Sequence, residues 1–165
     1  MRLAWTWLLL VCCIASAHAQ QDSLQLASEA AEFQLLAMKG LRADKRIYFG
    51  TMAPTLEECR LVFRGAAADL VFRNSRNGLD AATAQPWPAF VDFKTGSFTT
   101  AELGSHRDFF AADRREFRAQ LLPGLRLYEV LYLHPEGNLT LRFFLKVNGR
   151  WVFFANPWLA FRQED

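Results

Sequence analysis

Cysteine and histidine are scarce in this 165-residue chain, three of each, and neither sign of charge dominates: 19 Lys and Arg stand against 17 Asp and Glu. So small a net charge argues against the basic surface that nucleic-acid binding needs, and no nucleic-acid partner is expected. The chain has no Gly-x-Gly-x-x-Gly after a strand, no phosphate-loop pattern, no His-Glu-x-x-His and no Gly-x-Ser-x-Gly. Nucleotide chemistry, zincin proteolysis and the usual serine-hydrolase design therefore lack support, and no cofactor is expected. Its longest apolar run, Leu3 to Ile14, falls short of the roughly 20 residues that a stable membrane span requires.

That run has another use. Arg2 supplies a positive start, Leu3 to Ile14 the apolar stretch, and Ala17-His18-Ala19 the small-x-small pattern that signal peptidases accept. Residues 1–19 are expected to be a signal peptide cut between Ala19 and Gln20, leaving residues 20–165 as one exported domain, periplasmic or secreted. Lipid attachment at Cys12 or Cys13 is disfavoured, because neither cysteine follows a small residue. Without Arg2 the 19 cationic residues become 18, and the net charge is +1. A composition of 52% hydrophobic and 14% aromatic residues suits a globular core and excludes disorder.

After cleavage only Cys59 remains in a disulfide-permissive compartment, so no internal bridge can form. It falls in register with Val62, Phe63, Ala66 and Leu70 and reads as a small buried hydrophobe, with an intermolecular disulfide as the alternative.

Helices precede strands. Leu26, Ala30, Phe33, Ala37 and Leu41 recur at helical spacing from about Ser23 to Ala43, widened by Ala27, Ala31, Leu35 and Met38. Thr55 and Glu58 form a capping box that should open a second helix from Leu56 to about Asn74, ending at Ser75, Asn77 and Gly78. Phe90 to Lys94 and Ser97 to Leu103 then flank Thr95-Gly96, which reads as a hairpin turn. Asp113 and Glu116 suggest a cap for a short helix stopped by Pro123-Gly124. Leu125 to His134, Leu139 to Val147 and Arg150 to Asn156 are β-rich, and Asn148-Gly149 between the last two predicts a type I′ turn. Period-two reading puts Leu125, Leu127, Leu131, Leu133, Leu139, Leu141, Phe143, Leu145 and Val147 on a core face. Arg126, Tyr128, Tyr132, His134, Arg142, Phe144 and Lys146 take the other, read as solvated or as a homodimer surface.

The expected fold class is α+β: N-terminal helices packed on a curved antiparallel sheet that ends in a three-strand meander. This order, closed by Val147-Asn148-Gly149-Arg150-Trp151, resembles the nuclear-transport-factor-two-like folds, the cystatin-like α+β cones. The resemblance implies a cone-shaped sheet. It leaves function open, since that superfamily includes isomerases, cyclases, dehydratases, ligand carriers and interaction modules. Its catalytic members set Asp, Tyr and His around the cone, and no such set matches here residue by residue.

Among single residues, Asp92 lies between Val91 and Phe93, where apolar neighbours could raise its pKa for general-base work, or alternation could aim it at solvent. Tyr128, Tyr132 and His134 are its candidate proton donors. His134 with Glu136 is too small a ligand set for zinc, and no metal is expected. Ser105, His106 and Asp108 hold the letters of a triad, but chain neighbours seldom assume triad geometry. Arg60 and Arg64, like Arg114, Arg115 and Arg118, sit beside acids and read as solvated surface. Asn138-Leu139-Thr140 fits a glycosylation acceptor, relevant only in a eukaryotic secretory pathway. Trp87, Phe93, Phe143 and Trp151 are the candidates for lining an apolar pocket, against the alternative that the aromatics only fill the core.

These features point to an exported, non-enzymatic domain that binds a small apolar ligand or a protein partner. The alternatives are an isomerase, cyclase or hydratase of the same fold, and an inhibitor or immunity-type partner protein.

Overall fold

The computed structural model describes residues 2–84, 88–105 and 111–161, with side chains left out at 2–19, 81–82, 104–105 and 111–115. Two compact units emerge, residues 1–36 and residues 37–165. The first is helical and belongs to α1 (Arg2–Gly40), whose last four residues enter the second unit. Of the predicted stripe on α1, Phe33 and Ala37 are buried, whereas Leu26, Leu35 and Met38 remain exposed. Among the residues with described side chains, no helix is long and apolar enough to cross a membrane.

The second unit is α+β, as expected. It continues with α2 (Lys45–Gly50), α3 (Leu56–Arg60), α4 (Ala67–Ala84), β1 (Asp92–Thr99), α5 (Ala111–Gln120), β2 (Arg126–Leu133), β3 (Leu139–Val147) and β4 (Arg150–Phe153). The four strands form one antiparallel sheet in the order β1-β2-β3-β4.

Several elements depart from expectation for identifiable reasons. The helix predicted from Leu56 to Asn74 is two helices. Its capping box is present, with Thr55 and Glu58 bonding reciprocally, but the chain turns at Gly65, whose φ is +45°. Backbone groups that would have continued the helix pair instead with the end of α5 and the residues that follow it: Arg64 N–H donates to Gln120 O at 2.8 Å and Leu122 N–H to Val62 O at 2.9 Å. The break shifts the helical phase, so Ala67, Ala68 and Val71 are buried in place of the predicted Ala66 and Leu70. Nor does α4 stop at Gly78. A Cβ there would lie 3.1 Å from Ala155 Cβ, so this glycine serves a close approach of the C-terminal segment.

Thr95-Gly96 is not a turn. β1 is continuous through it, with Thr95 opposite Val130 and Gly96 opposite Glu129. A Cβ on Gly96 would sit 3.2 Å from Glu129 Oε1, so the glycine makes room for that carboxylate, which pairs with Arg142 at 3.2 Å. Asn148-Gly149 is a turn as predicted, with φ of 50° and 76°. Asp113 falls inside α5 and not at its cap.

The facing of the sheet also changes. Tyr128 pairs with Phe144 and Glu129 with Arg142, which leaves Phe143 as the extra residue of a β-bulge at φ +72°. Beyond the bulge, Leu139 and Leu141 lie on the face of Tyr128, Val130 and Tyr132, not with Leu145 and Val147. The face read as solvated or self-associating is buried: Tyr128, Val130, Tyr132 and Phe144 are at most 2% exposed. Phe49 of α2 packs on Phe153 with the rings tilted and their centroids 5.1 Å apart. On the opposite face Cys59, Phe63, Val71, Phe98, Leu127 and Leu145 join one apolar cluster under α3 and α4. Bulged Phe143 points into it, 4.8 Å from the Phe117 ring.

Candidate functional site

Asp44 ends the loop after α1 by capping α2, its carboxylate accepting from Arg46 N–H at 2.9 Å and Ile47 N–H at 3.2 Å. That short helix turns Tyr48 and Phe49 inward and leaves Ile47 70% exposed. Between it and the end of α1 lies a groove of about 580 Å³, with Met38, Ala43, Ile47 and Tyr48 as apolar wall and Lys39 and Arg42 as positive rim. Thr51 also lines it, but its hydroxyl is committed to Tyr48 O at 2.8 Å.

Beneath the groove is a tyrosine pair. The Tyr132 hydroxyl donates to Ala37 O at 3.0 Å, and Tyr48 donates to Tyr132. Burial pushes both phenols above the ordinary tyrosine range. Because each hydroxyl proton is already committed, the pair holds the neutral form and braces the groove wall instead of offering a proton. Gly40 fits against it: a Cβ there would overlap the Tyr132 hydroxyl and lie 2.9 Å from Tyr48 Cζ.

A second polar constellation ties the last hairpin to this corner. Arg150 donates to Glu58 through Nε (2.8 Å) and through Nη2 (2.5 Å), to Thr51 O at 2.7 Å and to Ala53 O at 2.9 Å. Burial raises the Glu58 carboxyl, but hydrogen bonds from Arg150 and Thr55 outweigh it and hold the pKa below the usual carboxylate range. The basic residue of the resemblance motif is thus a structural clamp.

The other candidates are scattered. Asp92 is exposed, accepts from Phe93 N–H at 2.8 Å, and pairs in register with Leu133. That register places it on the sheet face opposite Tyr128 and Tyr132, so the proposed base and its tyrosine donors do not converge. His134 Nδ1 accepts from Glu136 N–H at 3.1 Å, closing a turn. Of the pocket candidates, Phe143 is wholly buried in the helix-covered core, Trp151 packs edge-on to Tyr128 at 4.9 Å, and Phe93 lies 6.4 Å from Tyr132. Phe143 thus faces the helix-covered core, whereas Phe93, opposite Tyr132 in register, and Trp151, packed on Tyr128, lie on the other face of the sheet. Trp87 and His106 lie outside the described residues. Cys59 is fully buried, and burial pushes its thiol up to about 12, with the Glu58 and Asp69 charges adding.

The groove is not legible in the sequence because α2 is six residues long, under two turns, too short for an apolar pattern to repeat. Asp44 ahead of Tyr48 and Phe49 is the one sequence signal that could have marked it. No protein-family model, curated protein or solved structure matches the chain.

Proposed function

We propose that this chain is an exported, non-enzymatic α+β domain of the nuclear-transport-factor-two-like type that binds a small amphipathic ligand, apolar in body and anionic at one end. The observation that supports it is the groove lined by Met38, Ala43, Ile47 and Tyr48 with Lys39 and Arg42 at its rim. An apolar chain laid on Ile47 and Met38 removes exposed hydrophobic surface from water, and the cations orient its charged end. The braced tyrosines keep the wall rigid, so little ordering entropy opposes binding.

Titration calorimetry of mature protein with dodecanoate tests this. Saturable one-site binding is expected, weakened roughly tenfold or more by Ile47→Asp, which sets a carboxylate in the apolar wall. Lys39→Gln with Arg42→Gln should weaken dodecanoate and spare dodecanol. Binding that is absent, or indifferent to Ile47→Asp, overturns the reading. The intact mass of the exported protein tests the address, and a start at Gln20 is the expected result.

A further inference from the structure

Across α2 from that groove is a second cavity, between α2 and α4, of about 530 Å³. We propose that it binds the oxyanion group, carboxylate or phosphate, of a small molecule through Arg46 and Arg76. Both arginines line the cavity, and their side chains are exposed. Among the described residues neither guanidinium has an ion-pair partner. Two unmatched guanidiniums against the single carboxylate of Asp80 leave the cavity net positive. A guanidinium presents a planar fork of donors that fits an oxyanion's paired oxygens.

The placement follows from helical spacing. Arg76, Asp80 and Thr83 follow one another at four and three residues and share one face of α4, while Arg46, Phe49 and Gly50 share the facing side of α2. The Arg76 guanidinium lies 5.9 Å above the Phe72 ring, which restricts its rotamers before any ligand arrives. Thr83 cannot serve as the anion donor, because its hydroxyl donates to Leu79 O at 3.0 Å and Asp80 O at 3.1 Å. Recognition therefore falls to the two arginines, with Phe49 and Leu79 as the apolar floor for the rest of the molecule. The site shares no lining residue with the groove walled by Met38, Ile47 and Tyr48, so it stands or falls separately.

Calorimetric titration of the full mature chain with phenyl phosphate and with benzoate tests the assignment. At least one probe should bind saturably at millimolar concentration or tighter, and the tighter of the two names the oxyanion. Arg46→Gln and Arg76→Gln should each weaken it at least about fivefold. Asp80→Asn should strengthen it about two- to fivefold by removing the repelling carboxylate. Arg60→Gln, on α3, serves as the charge-matched control and should change nothing. All four positions are solvent-exposed, so folding persists in each variant and thermal melts can check it. No saturable binding of either probe, or equal weakening by Arg60→Gln and the two cavity arginines, overturns the proposal.

Discussion

Gly40→Ala should destabilise the protein, although helix propensity alone predicts the reverse. Gly40 ends α1, and alanine in a helix is favoured over glycine by up to about 1 kcal/mol. Here the added methyl would overlap the Tyr132 hydroxyl and stand 2.9 Å from both Cζ and the hydroxyl of Tyr48. Tyr132 has no room to yield, being fully buried and tied to Ala37 O, and Tyr48 is held to it by a hydrogen bond. Overpacking of a filled interior costs about 1–3 kcal/mol, and a displaced buried hydroxyl bond about 1 kcal/mol more. The net expectation is a loss of about 1–3 kcal/mol. Urea unfolding followed by circular dichroism reads it as a lower midpoint at unchanged slope. Tyr132→Phe removes the atom that is struck, so Gly40→Ala should cost at least about 1 kcal/mol less in that background. A raised midpoint for the single variant, or strict additivity in the pair, would refute the reasoning.

The Arg150 clamp should matter most near neutral pH. Arg150→Met leaves a largely buried carboxylate without its cation, and because the arginine side chain is 39% exposed the loss should fall between surface and buried pairs, about 2–3 kcal/mol. Since the folded-state pKa of Glu58 is depressed, the clamp's contribution is complete above the ordinary Glu value near 4.3 and fades as pH falls through the lower folded value. The gap between wild type and variant should therefore hold from pH 7 down to about 4.3 and narrow below it in denaturant titrations, and a constant gap would contradict the assignment. Cys59, fully buried with its thiol raised to about 12, should react with a thiol reagent only under unfolding conditions, and rapid labelling of native protein would disprove its place in the core.

What could be read from the sequence is what local chemistry decides alone. The Thr55–Glu58 capping box needs only residues three apart, and Asn148-Gly149 forms its turn because both residues accept positive φ. β3 was legible to its exact ends, Leu139 and Val147. Its facing was not, because the bulge that reverses it rests on Phe143 at φ +72°, a conformation phenylalanine rarely takes. What holds it is tertiary: Phe143 O accepts from Phe154 N–H at 3.0 Å, and its ring packs on Phe117 and Trp158. The groove was hidden for a related reason. Its wall combines the end of one helix with a helix too short to show a period.

The misread glycines share one physical origin. In the sequence Gly78 and Gly96 read as punctuation, a helix stop and a hairpin turn, yet both lie inside continuous elements. Each is glycine because another part of the chain comes too close for a Cβ: Ala155 at Gly78 and the Glu129 carboxylate at Gly96. Gly40 belongs with them, pressed on the tyrosine pair that backs the groove. Gly65 and Gly149 are the other kind, set by positive φ, and composition does not separate the two. A glycine that permits a dihedral can be recognised from its neighbours in sequence, whereas one that permits an approach is defined by a partner tens of residues away. Gly40 and Tyr132 are such a pair, and their contact fixes the end of α1 against the sheet, with Tyr48 held between the groove and the core.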